Sequence, residues 1–309
     1  MVDVMLEKKR GVRKIHQLRI IGILEADFNI ALKILFSRNL MAMAEKTGLD
    51  DDQWGCRKNR TSIDAAMRKL LTFEYGRYMY ATIGTNPIDL TACFDRMRPE
   101  ITGVVAQVHG TPKEVVKAKI LTMKELKRYI KTALGTSKVF YTNTPGDPLI
   151  QGEVQGKADV ASLWTMVSSS ILMAHRQVYQ GIDLPSVVGK SQGIKKNNDG
   201  YVDDVDVWAA TLENDPEIAD MVMVNLAVGT QSLANLFDVV SQSTAFHKCF
   251  CQVLAWKLVD GLYEIDYTTT HDITLKDSVG APSKIRFVKA DQPNPGMHGS
   301  LSLDSVYLL

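Results

Sequence analysis

Three aspartates suggest a chemistry for this sequence. Asp203 and Asp204 are adjacent, whereas Asp89 lies more than a hundred residues earlier in the chain. Carboxylates from distant segments that meet at one point can hold two metal ions about 3.5–4 Å apart, which stabilise the attacking and leaving oxygens in phosphoryl transfer. Hard oxygen ligands suit Mg²⁺ or Mn²⁺. We therefore predict a two-metal site of Asp89, Asp203 and Asp204, although each aspartate alone is more often a turn or surface residue.

The segments around these aspartates have the composition of β-structure. Residues 201–208 alternate β-forming residues with acids, a pattern that predicts a hairpin whose turn presents carboxylates. Pro87 lies two residues before Asp89 and has no N–H, so a central strand at this position would lose a hydrogen bond of its ladder. The turn-forming residues over 183–200 predict a loop before the hairpin.

Helical periodicity accounts for much of the remaining chain. Thr111-Pro112-Lys113-Glu114 predicts a helix start with a capping box, and Gly135 predicts the end of that helix. Apolar residues at helical spacing predict further helices over 23–46, 62–78, about 157–174 and 216–240. A β-rich tail follows Trp256. This order of helices and strands favours an α+β fold over a regular βαβ repeat.

Charge is distributed unevenly, although the net charge is only +1. Residues 8–19 carry six basic side chains and no acid, and residues 113–138 carry seven Lys and one Arg against two Glu. Residues 197–247 contain seven Asp and two Glu without any Lys or Arg. Basic flanks around an acidic centre fit a site that holds cations in the middle and phosphates at its edges. For each run alone, a solvated face is the simpler interpretation.

Other classes of protein are excluded by the motifs. Gly189-Lys190-Ser191 ends like a phosphate-binding loop, but Leu184 stands where its first glycine is required. The spacing of the four cysteines matches neither a disulfide framework nor a zinc site. The N-terminal residues lack an apolar signal core, so we expect an intracellular protein of the nucleus or cytoplasm, not secreted and without a membrane partner.

Five segments in order resemble the motifs of reverse transcriptases from non-LTR retrotransposons. Asp89-Leu90-Thr91-Ala92-Cys93-Phe94-Asp95-Arg96 resembles the first palm motif, and Tyr201-Val202-Asp203-Asp204 is similar to the Y-x-D-D motif. Gln155-Gly156 looks like the Q-G of the motif beneath the incoming nucleotide. The other two are a fingers-like segment, Gln53-Trp54-Gly55-Cys56-Arg57-Lys58-Asn59-Arg60-Thr61-Ser62-Ile63-Asp64-Ala65, and the Lys-containing His247-Lys248-Cys249.

The resemblance implies a role for each matched residue. Asp89 and Asp203 would ligate both metal ions with Asp204 close by, and Lys248 would give a proton to the leaving pyrophosphate. Phe94 would crowd the sugar 2′ position and so select deoxynucleotides. The implied nucleotide-binding residues are Arg57, Lys58, Arg60, Leu90, Phe94, Gln155 and Gly156. The implied cofactor is Mg²⁺ or Mn²⁺, and the implied partners are an RNA or DNA template-primer and deoxynucleoside triphosphates. The alternatives are that Phe94 is a core aromatic, that Arg57, Lys58 and Arg60 belong to a solvated basic loop, and that Lys248 is a surface lysine.

The implied fold is α+β, with the fingers and palm of a right-hand polymerase, an antiparallel palm sheet flanked by helices, and a thumb that is absent or incomplete. Residues 1–80 would be fingers-like, 81–262 a palm-like catalytic region, and 263–309 a β-rich C-terminal extension. Pro87 and Asp159 depart from the family pattern, and Asp159 would add negative charge near a nucleotide. We therefore keep two functions open: an RNA-directed DNA polymerase core, and a decayed remnant that binds nucleic acid without chemistry.

Overall fold

The chain crosses three times between two structural units. A computed structural model describes residues 1–8, 11, 14, 18–142, 152–186, 193–212, 216–266, 273–277 and 279–288. Unit 1 comprises Met1–Leu49 and Ala92–Ser168, and unit 2 comprises Asp50–Thr91 and Ser169–Leu309. The contiguous regions expected from the sequence, 1–80, 81–262 and 263–309, do not coincide with these units, because each unit is assembled from two separate stretches of chain.

The strands of the described residues fall into several sheets. In chain order they are β1 (Val2–Glu7), β2 (Leu18–Ile23), β3 (Thr82–Ile88), β4 (Arg128–Thr132), β5 (Gly135–Tyr141), β6 (Ile182–Leu184), β7 (Ile194–Lys196), β8 (Asn198–Tyr201), β9 (Asp204–Thr211), β10 (Phe250–Leu254), β11 (Trp256–Val259), β12 (Leu262–Ile265), β13 (Ile273–Lys276) and β14 (Pro282–Val288). Unit 1 contains the sheet β2-β1-β4-β5, and unit 2 contains the sheet β13-β14-β10-β3-β9-β8. The chain is therefore a mixed α+β protein, as predicted.

The helices are α1 (Ala26–Leu32), α2 (Met41–Thr47), α3 (Ser62–Tyr78), α4 (Cys93–Arg96), α5 (Pro99–Val108), α6 (Lys113–Glu125), α7 (Val160–Val178) and α8 (Pro216–Val239). A π-helical stretch, Lys33–Leu40, joins α1 to α2. The prediction for α3 is confirmed: Thr61 is its N-cap and forms a capping box with Asp64. None of the described helices combines the length and apolarity that crossing a bilayer requires.

Two local predictions are wrong because strand pairing overrides local signals. Helix α6 begins at Lys113 after Pro112 without a side-chain cap, and it ends at Glu125 instead of continuing toward Gly135. The chain leaves the helix there because β4 pairs in parallel with β1. The loop predicted over 183–200 contains parts of three strands, since β6 pairs with β7 and β8 pairs with β9.

The large sheet of unit 2 has β3 and β9 at its centre. Its adjacent strands are antiparallel except for β10 and β14, which run parallel. Helix α8 packs against β3 and β9. A buried cluster lies on the sheet, and within it the rings of Phe73 and Trp208 lie 5.2 Å apart. Aromatic side chains of this size contribute much of the apolar surface that stabilises such a core.

Pro87 lies inside β3, a central strand of the large sheet. Its missing N–H removes no hydrogen bond of the ladder with β10, because the two strands are not paired at this position. Strand β10 pairs with β3 only from Ile83 to Thr85. Pairing on this side resumes at Leu90, which forms a bridge with Thr244. The missing N–H of Pro87 therefore falls where the ladder with β10 is already interrupted.

Candidate active site

Asp89 and Asp204 lie at the same end of two paired strands of unit 2. Strand β3 ends at Ile88, which is the register partner of Val205 in β9. Asp89 is the next residue after Ile88, and Asp204 is the residue before Val205. Because β3 and β9 are antiparallel, the carboxylates at 89 and 204 belong to neighbouring positions although more than a hundred residues separate them in sequence.

Asp203 occupies a two-residue turn between β8 and β9, since Tyr201 pairs with Asp204. Val202, the other turn residue, has a φ of 58°. This left-handed conformation is unfavourable for a β-branched residue, and such strain is found at functional sites when the surroundings enforce it. Here the surroundings are Gly55, on which a Cβ atom would lie 2.3 Å from the backbone N of Val202.

The segment that carries Gly55 runs alongside β8. The backbone N–H of Trp54 donates to Gly200 O at 2.7 Å, and the N–H of Gly200 donates to Asp52 O at 2.7 Å. Gln53 and Gly200 form a parallel bridge. The fingers-like segment of the sequence is thus the support of the turn that presents Asp203.

The carboxylates crowd one another electrostatically. The pKa of Asp204 is raised to about 6; partial desolvation contributes most, and the negative charges of Asp203, Asp89 and Asp206 add to it against the opposing charge of Lys69. Sequence reasoning missed Asp206, although alternate positions of a strand share a face and Asp206 is two residues after Asp204. Asp206 is tied to Lys69, whose Nζ lies 2.9 Å from its Oδ1.

Lys248 reaches this cluster through the interruption between β3 and β10. A short 3₁₀ helix, Phe246–Lys248, fills the interruption, and the N–H of Ala245 donates to Asp89 O at 2.8 Å. The Nζ atom of Lys248 lies 2.6 Å from Asp89 Oδ2, and both side chains are partly exposed. Lys248 is therefore not an isolated surface lysine but the counter-ion of Asp89.

The donor set fits magnesium in chemistry, but its carboxylates do not form a closed metal cage. Among the residues that the structure describes, no three His, Cys, Asp or Glu side chains form a group able to hold a metal ion. Magnesium retains several waters and commonly takes only one or two protein carboxylates together with substrate phosphates. One or two of the carboxylates of Asp89, Asp203 and Asp204 would meet that smaller requirement, and the binding of Mg²⁺ or Mn²⁺ by them stays a prediction.

The basic residues of the fingers-like segment are engaged with their own loop. Arg57 Nη1 donates to Asp50 O at 2.7 Å and to Gln53 O at 3.1 Å. Arg60 Nη1 donates to Asp51 O at 2.6 Å, and its guanidinium lies 4.9 Å from the ring centre of Trp54. Lys58 is exposed. Arg57 and Arg60 thus shape the loop that supports the turn, and a contact of any of the three with a triphosphate stays a prediction.

The remaining predicted nucleotide contacts are divided between the units. Leu90 is buried in unit 2 beside Thr244. Phe94, Gln155 and Gly156 belong to unit 1. There Phe94 O accepts from the N–H of Glu153 at 3.0 Å, and Gln155 O accepts from the N–H of Gly22 at 2.8 Å. The nucleotide-binding role of these residues stays a prediction.

Asp159 does not present the uncompensated charge that its sequence position suggested. It is buried in unit 1 with Glu153, Lys119 and Lys157, a set that we call the charge quartet. Lys119 Nζ lies 2.7 Å from Glu153 Oε1 and 3.1 Å from Asp159 Oδ2, and Lys157 also pairs with Glu153. Two acids and two lysines balance, so the quartet has no net charge. The charge of Asp159, which departs from the family pattern, is therefore compensated within unit 1.

Acidification is expected to stabilise the metal-free protein through Asp204. Its pKa is about 6 in the folded protein against an ordinary value of 3.8, so the folded state binds this proton more tightly than the unfolded state. The stabilisation is complete below about pH 4 and is lost as the pH rises through 6. Urea unfolding of wild type and Asp204→Asn from pH 4 to 8, with a chelator present, measures it. If the free energies of unfolding of the two proteins changed with pH in the same way, the raised pKa of Asp204 would be contradicted.

The fold is similar to that of solved telomerase structures. No protein-family model matches the chain, and no curated protein matches it. Telomerase from Candida tropicalis, in complex with a TWJ fragment of telomeric RNA, matches with a TM-score of 0.51 and 10% identity, over 87% of this chain and 45% of that chain. Telomerase from Candida albicans in complex with a TWJ fragment matches with a TM-score of 0.48 and 12% identity, over 98% and 46%.

Apo telomerase from Candida tropicalis, truncated from its C-terminal domain, matches with a TM-score of 0.49 and 9% identity, over 90% of this chain and 52% of that chain. The chain therefore spans about half the length of these telomerases. At this identity the likeness establishes a reverse-transcriptase-like polymerase fold and nothing about substrate or activity.

Proposed function

We propose that the chain is the core of an RNA-directed DNA polymerase related to reverse transcriptases of non-LTR retrotransposons. Asp89, Asp203 and Asp204 hold Mg²⁺ or Mn²⁺ in unit 2. The observation that supports this proposal most is the pairing of β3 with β9, which joins Asp89 and Asp204 at one sheet end. Carboxylates crowded against one another are the environment that a divalent cation relieves.

The chemistry is nucleotidyl transfer. The 3′-hydroxyl of the primer loses its proton to solvent and its oxygen attacks the α-phosphorus of a deoxynucleoside triphosphate. The bond from the α-phosphorus to the oxygen that bridges to the β-phosphate breaks, and pyrophosphate leaves. Mg²⁺ or Mn²⁺ held by Asp89, Asp203 and Asp204 would supply charge stabilisation for the attacking and leaving oxygens. Lys248 donates a proton to the leaving pyrophosphate. The pairing of Lys248 with Asp89 keeps the ammonium beside the reaction centre before substrate arrives.

The remaining assignments follow from the resemblance. We propose a fingers-like region at 1–80, a palm-like region at 81–262 and a β-rich extension at 263–309, with the thumb absent or incomplete. Template-primer and nucleotides are the partners. The nucleotide contacts are those predicted from the sequence at Arg57, Lys58, Arg60, Leu90, Phe94, Gln155 and Gly156.

A polymerase-like remnant that binds nucleic acid without chemistry is the second candidate. Two observations favour it: the described residues hold no ready three-ligand metal group, and Lys248 occupies one oxygen of Asp89. Asp159 no longer favours it, since its charge is balanced inside unit 1.

Primer extension distinguishes the two candidates. Purified protein is given a labelled primer on an RNA or a DNA template with all four deoxynucleotides and either Mg²⁺ or Mn²⁺. Template-dependent incorporation that a chelator abolishes is the expected result. Absence of incorporation with either metal, together with salt-sensitive binding of the same template-primer, would make the remnant the correct description.

A further inference from the structure

The two faces of the sheet of unit 1 differ in burial. One face is covered around Asp3 and Gly22, although Ile130 and Val139 on the same side are exposed, and the other, which we call the open face, carries no fully buried residue. On the covered face Asp3 and Gly22 are buried. Arg128 and Tyr141 are register partners on the same face, and both side chains contact the carboxylate of Asp3. A Cβ atom on Gly22 would lie 2.5 Å from a methyl group of Val154, which shows how closely this face is packed. Adjacent residues along a strand point to opposite faces, so the neighbours of Asp3 and Gly22 lie on the other side.

The register aligns the open face into rows across the four strands. One row contains Ile23, Val2, Tyr129 and Phe140, and the next contains Ile21, Val4, Lys131 and Thr136. Phe140 is 41% exposed and Ile23 is 53% exposed. Val2, Val4, Ile21 and Tyr129 in these rows are half-buried. The structure thus leaves a face of paired strands, with two aromatic rings in one row, partly in contact with solvent.

Positive charge surrounds the aromatic rings. Lys131 follows Tyr129 on the same face, Lys127 Nζ lies 4.9 Å from the ring centre of Phe140, and exposed Arg19 lies in the row of Leu6. The four strands contain only two acids, Asp3 and Glu7, and both alternate to the covered face. The open face is therefore apolar and aromatic in the middle, basic around it, and free of carboxylates from its own strands.

We propose that this open face binds single-stranded nucleic acid. Its charge is complementary to a phosphate backbone, and aromatic rings on a sheet are stacking surfaces for unpaired bases of any sequence. The rings of Tyr129 and Phe140 lie 6.0 Å apart at 60°, so that neighbouring bases of one strand have separate partners. A second copy of the chain is a poor occupant, because two such faces would bring like charges together.

Lys127 has a defined part in this binding. Its ammonium lies over the Phe140 ring, an exposed cation–π contact that is weaker than the stacking of a base on the same ring. An arriving base displaces Lys127 from the ring, and the freed ammonium then meets the adjacent phosphate. The surface lies wholly within unit 1 and uses none of the carboxylates proposed for nucleotidyl transfer. The inference rests on the proposed function for its nucleic-acid partner and adds the surface that holds an unpaired strand.

Fluorescence anisotropy of a labelled 12-nucleotide single strand, with chelator and without nucleotides, tests the surface separately from polymerase chemistry. Phe140→Leu keeps apolar volume but removes the ring, and it should weaken single-strand binding about 10-fold without changing its salt dependence. Lys131→Met should instead lower the slope of log affinity against log salt by about 0.7. The matched control is Leu134→Ala, because Leu134 is fully exposed at the tip of the same hairpin.

Several results would overturn the proposal. Phe140→Leu and Leu134→Ala could bind like wild type, or a duplex of the same sequence could bind as tightly as the single strand. Light scattering could reveal self-association that Phe140→Leu abolishes, in which case a second copy is the occupant. Binding to phosphatidylserine vesicles that Phe140→Leu weakens while single-strand binding is unchanged would assign the face to lipid. Lys131 is exposed, so Lys131→Met remains informative if Phe140→Leu does not fold.

Discussion

Asp89→Asn is expected to slow primer extension about 1000-fold, because removal of one charged ligand from a two-metal site takes away several kcal/mol of transition-state stabilisation. The asparagine retains the size of the side chain and can still accept a hydrogen bond from Lys248, whose Nζ lies 2.6 Å from Asp89 Oδ2 in the wild-type protein. Single-turnover extension with saturating nucleotide measures the effect on the chemical step. Binding of the template-primer should change little, since it depends on basic residues and phosphates.

The matched control is Asp206→Asn. Asp206 belongs to the same carboxylate cluster, so its replacement removes the same charge near Asp204, but its partner is Lys69 and it is not among the proposed metal ligands. We expect extension by Asp206→Asn to remain within about 10-fold of wild type, an effect below 1.4 kcal/mol. Equal losses in Asp89→Asn and Asp206→Asn would mean that general electrostatics, and not metal ligation, explains the effect of Asp89.

Glu153→Ala is expected to lower the free energy of unfolding by about 3–5 kcal/mol, because it leaves two buried lysines with a single buried carboxylate. Lys119 and Lys157 both pair with Glu153, and the hydroxyl of Thr102 donates to Glu153 Oε1 at 2.8 Å. Burial alone would raise the pKa of Glu153, but the two ammonium groups hold it at about 2. Urea unfolding at pH 7, followed by circular dichroism, gives the measurement.

A compensated variant separates charge balance from packing. Glu153→Gln with Lys157→Met removes one charge of each sign and retains the sizes of both side chains, so Lys119 and Asp159 remain as a pair. Its stability should lie close to that of wild type, since exchanging a buried pair for well-packed neutral groups is often neutral. If Glu153→Ala unfolds within about 1 kcal/mol of wild type, the quartet is not desolvated as described.

Local signals in the sequence were sufficient for elements that depend on neighbours in the chain. Thr61 and Asp64 cap α3 through groups three residues apart, and the alternation over 201–208 gave the hairpin of β8 and β9. The helix predicted over 216–240 is α8. In each case the hydrogen bonds or the amphipathic period lie within a few residues, so the pattern that stabilises the element can be read directly.

Features that depend on pairing between distant segments could be read only in part. The order of the motifs predicted that Asp89 would meet Asp203 and Asp204, and the register of β3 with β9 brings them to one sheet end. The order of the motifs did not predict that Lys248 is the counter-ion of Asp89. This contact requires the pairing between β3 and β10 to stop before Pro87.

The sequence by itself determined the α+β composition, the hairpin and the residue types of the site. Only the tertiary structure decided which charges are compensated. Asp159 reads as an isolated acid in the sequence, yet Lys119, forty residues away on α6, neutralises it. Likewise, a helix was predicted over the segment that forms β4. Lys127 and Phe140 become neighbours only because this segment is a strand that pairs with β1 and β5. The physical reason is that burial and long-range pairing fix the electrostatic environment of a side chain, and neither is a property of its local sequence.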